Sequence, residues 1–333
     1  MIERPYLLFL GDIQGDMNAK TGFGIRDWLP NDCVGQWRLP DCDVDLGLVE
    51  LTAAQAVARG ARSMLLAVTP IGGVIPPAWT PHLLAALEAG LDLVSGLHTR
   101  LIDIPQVSET AARLGRALHD VRHSDQAFPV GTGLKRGGKR LLTVGTDCAL
   151  GKKYTALSIA RAMRARGADA DFRATGQTGI MIAGEGVAID QVVADFISGA
   201  AESLSPDAGP DHWDIIEGQG ALFHPGYAGV TLGLVHGSQP DALVLCHDPL
   251  RTTLHGFPTF PVPTIEVAMR SYLDAAHITN PNARFVGISL NTSRMDEDAA
   301  RAELAALEAR HGLPCFDPLR FGLDVLIDKV LSL

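Results

Sequence analysis

A chain of 333 residues is too long for one typical domain and fits about two. With 47% hydrophobic and 20% charged residues it has the composition of a folded soluble protein, which excludes a disordered chain. The net charge of −10 and the lack of a long basic run exclude nucleic acid as partner, and no apolar segment reaches the roughly 18 residues that span a bilayer, which excludes a membrane.

In chain order, residues 6–10 form an apolar run closed by Gly11 and Asp12, too short for a secretory signal and suited to a first buried strand. A helix is expected over 51–59, ending at Gly60, then a strand over 63–68 closed by the proline-containing loop 70–77. A helix over 81–89 stops at Gly90, a strand follows at 92–95, and a helical run covers 104–119. Residues 131–139, GTGLKRGGK, read as a linker. Beyond it the alternation restarts: strand 141–144, helix 152–166, strand 170–174, helix 190–203, strands 213–216 and 242–246, helix 264–276, strand 285–290, helix 296–310 and a last helix 323–331. Strands alternating with helices predict the α/β class, as two parallel-sheet domains over 1–130 and 140–333.

The five cysteines, Cys33, Cys42, Cys148, Cys246 and Cys315, are scattered and form no C-x-x-C pair. Neither a disulfide framework nor a zinc ribbon is indicated, no metal site is expected, and the expected compartment is the cytoplasm. A homo-oligomer is expected, since most soluble oligomers are symmetric homomers.

The segment LLTVGTDCALGKKYTALSIARAM is an apolar strand, a glycine-bounded turn and a helix opened by Gly151 and Lys152. Glycines let the backbone curl so that successive N–H groups point at an anion; the helix N-terminus and the lysine add positive charge. Gly145, Thr146, Asp147, Cys148, Ala149, Gly151, Lys152, Lys153 and Thr155 are therefore expected to bind a nucleotide or a nucleotide-like cofactor such as coenzyme A. Five residues separate Gly145 from Gly151, where the common pattern has four, and Lys153 replaces the hydroxyl that usually binds magnesium. That exchange suits a site that holds a diphosphate without transferring a phosphoryl group. Cys148 reads either as a nucleophile, its pKa lowered by the helix N-terminus, or as a small buried side chain.

Other strand ends reach the same edge of an open parallel sheet, where ligands bind. Glu217 ends a strand in IIEGQGAL, as a general base, a ligand to any metal, or a solvated cap. His224 follows it, either catalytic or merely polar surface. Arg173 and Gln177 end another strand in RATGQTGI, where Arg173 pairs with a substrate carboxylate or with a structural one. Asn291, closing GISLNTS, is placed to read an adenine edge.

GTDCALGKKYT, IIEGQGAL and GISLNTS together resemble the P-loop ligase group that includes dethiobiotin synthetase and cobyrinic acid amidases. This implies ATP and magnesium chemistry, which Lys153 opposes. A resemblance over nearly the whole chain is carried by AKTGFGIRDW (19–28), IGGVIPPAW (71–79), GLHTRL (96–101), GTDCALGKKYTA, ATGQTGIMIAG and IEGQGALFHPGYAGVTLGLVHGSQPD. As a set these are similar to the D-glutamate N-acetyltransferase family. The resemblance implies an N-terminal Rossmann-like domain, a C-terminal P-loop NTPase-like domain, and acetyl transfer from acetyl-CoA to the amine of D-glutamate. In that setting Glu217 is the first candidate base and His224 the second. Lys20, Arg26 and Arg173 are the cations for the substrate carboxylates, and His98 and Gln177 are further substrate contacts, with His98 reaching the site from the first domain. A nucleotide-binding regulatory protein without turnover is the reading from another class.

Overall fold

The computed structural model describes residues 2–123 and 126–333. Along the chain run β1 (Tyr6–Gly11), α1 (Lys20–Trp28), β2 (Cys33–Arg38), α2 (Ala53–Ala58), β3 (Ser63–Leu66), α3 (Thr80–Ala89), β4 (Asp92–Ser95), α4 (Pro105–Leu114) and β5 (Leu118–Asp120). Next come β6 (Lys139–Gly145), α5 (Lys152–Ala165), β7 (Ala170–Arg173), α6 (Gln177–Ala183), α7 (Ile197–Leu204), β8 (Trp213–Ile216), α8 (Ala228–Ser238) and β9 (Ala242–His247). The hairpin β10 (Thr253–Leu254) and β11 (Phe257–Pro261) precedes α9 (Ile265–Ala276), β12 (Arg284–Leu290), α10 (Glu297–His311), β13 (Cys315–Phe316) and α11 (Asp324–Leu331). Among the described residues no helix is long and apolar enough to cross a membrane.

The chain forms two compact units, residues 1–125 with 177–188 and residues 126–176 with 189–333. In the first, a parallel sheet runs in the order β2-β1-β3-β4-β5. β1 and β3 are buried along their whole length instead of alternating, because helices cover both faces. The strand order reverses after β2, and right-handed crossovers, the general rule for parallel strands, then place α1 on one face and α2, α3 and α4 on the other. α6 joins α1: the Thr21 and Thr178 hydroxyls meet at 3.0 Å, and Arg4 Nη2 donates to the Ile182 carbonyl at 2.7 Å. Those contacts are why segment 177–188 belongs to the first unit, although its sequence lies within the second.

The second unit has a parallel sheet in the order β13-β12-β9-β6-β8-β7. α5 and α11 close one face over Leu141, Ile159, Met163, Trp213, Ile215, Val286, Ile327 and Val330, all buried. The strand order reverses around β6, so the carboxyl end of β6 is a topological switch point.

The expected alternation is present, with four corrections. The helix expected over 104–119 stops at Leu114, because Gly115 turns left-handed at φ 63°, and β5 follows. The helix expected over 190–203 is broken by extended Val193 and is regular only in α7. β2, α1, α6, α8, the β10–β11 hairpin and β13 lay outside the expected elements. Residues 131–139 are no linker: the Thr132 and Gly133 N–H groups donate to the Glu202 carboxylate at 2.9 Å, and Arg136 donates to the Ser205 and Gly237 carbonyls at 2.7 and 2.9 Å.

Candidate active site

β6 ends at Gly145 between β8 and β9, with Leu142 opposite Ile216 and Gly145 opposite Cys246. Residues 146–151 then curl back and α5 begins at Lys152. The curl uses two left-handed residues, Ala149 at φ 51° and Gly151 at φ 104°. Gly151 is the N-cap of α5 and supplies no side-chain cap, and the N-terminus of a helix favours an anion. Lys152 lies buried beneath the loop, its Nζ donating to the Asp147 carbonyl at 2.8 Å, and burial lowers its pKa.

Side chains from later elements brace the loop. Asp147 is fully buried; Oδ1 accepts the Cys148 N–H at 2.6 Å, and Oδ2 accepts Arg251 Nη1 and the His255 N–H, both at 2.8 Å. Arg251 also donates to the carbonyls of Cys148 at 2.6 Å and Ala149 at 3.3 Å. The Tyr272 hydroxyl donates to the Gly145 carbonyl at 2.8 Å and accepts the Leu222 N–H at 3.2 Å, tying the phosphate loop to the loop after β8.

That second loop carries Glu217. Gly218 permits the approach, because a Cβ there would stand 1.7 Å from the Thr143 carbonyl oxygen. The Gly218 N–H donates to Thr143 Oγ1 at 3.0 Å, which in turn donates to the Lys152 carbonyl at 3.2 Å. Glu217 is 3% exposed. Its Oε2 accepts the N–H groups of Thr175 at 3.0 Å and Gly176 at 3.2 Å, while Oε1 accepts no hydrogen bond from the described residues. Burial raises its pKa to about 7, against the opposing pull of Lys153, the two N–H groups and Lys152. The result is one carboxylate oxygen pinned, the other open, and a proton affinity near neutrality.

The remaining expected residues divide. His224 is buried with both ring nitrogens engaged: Nδ1 accepts the Gly226 N–H at 3.2 Å, so Nε2 donates to the His255 carbonyl at 3.1 Å. With both ring nitrogens so engaged, His224 braces the hairpin and is not placed as a second base. The Thr155 hydroxyl turns into the sheet, 2.8 Å from Ser289 Oγ. Thr146 Oγ1 lies 2.9 Å from His247 Nδ1. The Lys153 ammonium stands 4.9 Å from the Tyr154 ring centre. Burial outweighs the nearby charges of Lys152 and Arg251 and pushes the Cys148 thiol pKa up, against the lowering expected of a nucleophile. Arg173 is a structural partner, with Nε 2.5 Å from Asp214 and Nη2 3.5 Å from Asp171. Asn291 follows β12, and its Oδ1 accepts the Ser293 N–H at 3.2 Å.

Lys20, Arg26, His98 and Gln177 belong to the first unit. Lys20 opens α1. Arg26 is held by Asp27 at 2.6 Å and by the Leu46 carbonyl at 3.0 Å. Arg251, His255 and Tyr272 were not foreseen. Arg251 follows β9 on the same carboxyl edge as Glu217, a position that could have flagged it; Tyr272 sits in a helix with no local signal. Among the described residues Asp147, Cys148 and His224 bring one possible metal-ligand atom each within 4.8 Å of one another. Arg251, His255 and Gly226 already occupy the Asp147 and His224 atoms, so the group reads as loop closure.

Residues 129–327 match the family described as a domain of unknown function, the DUF1611 C-terminal P-loop domain, and residues 32–124 match its N-terminal Rossmann-like domain. A protein of Tritonibacter scottomollicae named D-glutamate N-acetyltransferase is 50% identical over 332 residues, covering 100% of both chains. One of the same name from Pseudoalteromonas sp is 48% identical over 326 residues, 98% of each chain. The crystal structure of a DUF1611 family protein from Anabaena variabilis has a TM-score of 0.89 at 35% identity, covering 99% of this chain and 100% of that one.

Proposed function

The chain belongs to the D-glutamate N-acetyltransferase family, with its Rossmann-like and P-loop domains, and on that premise we propose that it moves an acetyl group from acetyl-CoA to the amine of D-glutamate. The observation that carries this reading is Glu217. An amino acid arrives largely as its ammonium form at neutral pH, and a base must take one proton before the nitrogen attacks. Glu217 Oε1 is open for that proton, and a pKa of about 7 suits it to hold and release one near neutrality. The Thr175 and Gly176 N–H groups keep the carboxylate from swinging away.

Acetyl-CoA, when bound, supplies the thioester that is attacked. The uncapped first turn of α5 with Lys152 and Lys153 would hold its diphosphate, by N–H groups and two positive charges. A magnesium-dependent ligase is disfavoured, because position 153 is lysine and the Thr155 hydroxyl is engaged with Ser289. Cytoplasmic action on small molecules, as a homo-oligomer, belongs to the same proposal. Steady-state kinetics of Glu217→Gln and Lys152→Ala test it: the first should lower mainly kcat, the second should raise the acetyl-CoA KM, and parental kinetics in both would reject it.

A further inference from the structure

β9 ends at His247, one residue beyond the point where Cys246 stands opposite Gly145 at the start of the phosphate loop. The backbone here is held from both sides: the Thr146 N–H donates to the Cys246 carbonyl at 3.1 Å, and the Asn291 N–H to the His247 carbonyl at 2.8 Å. The ring is half-buried, with Nδ1 2.9 Å from the hydroxyl of Thr146. Neither the proton transfer proposed for Glu217 nor the bracing of the loop by Arg251 and Tyr272 uses this imidazole.

The place of the ring proton follows from the partners available. Thr146 is fully buried, and among the described residues its hydroxyl has no hydrogen-bond partner besides His247. A buried O–H without an acceptor costs more than an unused oxygen lone pair, so the hydroxyl donates to Nδ1 and the neutral ring carries its proton on Nε2. Burial lowers the His247 pKa, with Asp248 pulling it up and Arg251 down, which keeps the ring uncharged near neutrality. Asp147 and Asp248, next in sequence to Thr146 and His247, are both engaged by arginines. Arg294 Nη2 donates to the two Asp248 oxygens at 3.0 and 2.8 Å, and Arg251 Nη1 to Asp147 at 2.8 Å. Among the described residues Nε2–H makes no hydrogen bond, so it is a donor at a loop whose lysine and helix N-terminus already favour an anion.

We infer that His247 donates its Nε2–H to a phosphate oxygen of the diphosphate held in the phosphate loop, with Thr146 as the residue that positions the ring proton. The inference rests on the phosphate-loop part of the proposed function and needs no acetyl transfer, since coenzyme A and a nucleoside diphosphate share this chemistry. Coenzyme A and ADP, each titrated calorimetrically into the full chain, are the probes. His247→Phe keeps a ring and loses the donor; it should weaken binding of whichever probe the parent binds by about ten- to a hundredfold. His247→Gln, whose amide offers an N–H in place of Nε2–H, should lie between it and the parent. Equal affinity in parent and His247→Phe overturns the inference, and so does an equal loss in both variants, which would mark the ring as packing alone. Nitrogen NMR of the parent's histidines, with the His247 signals assigned by their loss in His247→Gln, tests the same point should His247→Phe not fold. The proton should sit on Nε2, and the bound probe should shift Nε2 more than Nδ1; a proton on Nδ1 in the free protein contradicts the assignment. A parent that binds ADP but not coenzyme A, with the loss in His247→Phe, supports the inference and rejects the proposed acetyl donor. A parent that binds neither rejects the phosphate loop, and this inference with it.

Discussion

Glu217 Oε2 accepts the backbone N–H of Thr175 at 3.0 Å, a bond from the loop after β7 to a side chain at the end of β8. Two neighbouring strand ends thus fix one carboxylate from both sides. The bond holds Oε2 and leaves Oε1 to exchange a proton.

Glu217→Gln keeps an acceptor for the Thr175 N–H and removes the base. Its kcat should fall by about a hundred- to a thousandfold, with the acetyl-CoA KM near the parent value. The base works only when ionised, so parental kcat/KM should climb with pH through about 7. A pH–rate profile of the variant should lack that limb, and the same limb in both proteins would contradict the assignment.

The same group makes a prediction about stability. The folded state raises the Glu217 pKa from the ordinary 4.5 to about 7, so it binds the proton more tightly than the unfolded chain does. The buried charge therefore destabilises the fold increasingly as pH rises from 4.5, and fully above 7. Glu217→Gln should be more stable than the parent at pH 8 by on the order of 2 kcal/mol, with the difference shrinking as pH falls. Urea unfolding at several pH values measures it; a pH-independent difference would refute the linkage.

In the proposed reading Lys152 and Lys153 hold the diphosphate of acetyl-CoA. Lys152→Ala should raise the acetyl-CoA KM by on the order of tenfold or more, with a smaller change in kcat. Because Lys153 replaces the hydroxyl that would hold magnesium, a chelator should leave turnover unchanged. Loss of activity with EDTA that magnesium restores would contradict that role.

Gly218→Ala tests the contact between the two loops. The added Cβ would lie 1.7 Å from the Thr143 carbonyl oxygen and 3.1 Å from Lys152 Cδ, so backbone must move. A loss of more than about 3 kcal/mol is expected, read as a lowered Tm or loss of soluble protein. Parental stability would mean that the loops do not approach this closely.

The phosphate loop and Glu217 were legible because their signals are local: a strand, a glycine-bounded turn, a Gly-Lys helix start, and a carboxylate at a strand end. Strand 213–216 and helix 264–276, with its Thr264 cap, were readable for the same reason. Arg251 and Tyr272 were not, since each contacts the loop from more than 100 residues away along the chain. Residues 177–188 were misplaced because the Thr21–Thr178 contact that assigns them spans 157 positions. Arg173 shows the converse. Its motif placed it at the ligand edge, but its side chain leans back to Asp214, which lies opposite Asp171, two residues before it.

The most direct test of the proposed acetyl transfer is release of free thiol from acetyl-CoA with D-glutamate, L-glutamate or no acceptor, beside an ATP-to-ADP assay with magnesium. Thiol release that requires D-glutamate, with no ADP formed, is the predicted result. No thiol with any acceptor, and ADP formed in the presence of magnesium, would contradict the acetyltransferase and favour a ligase.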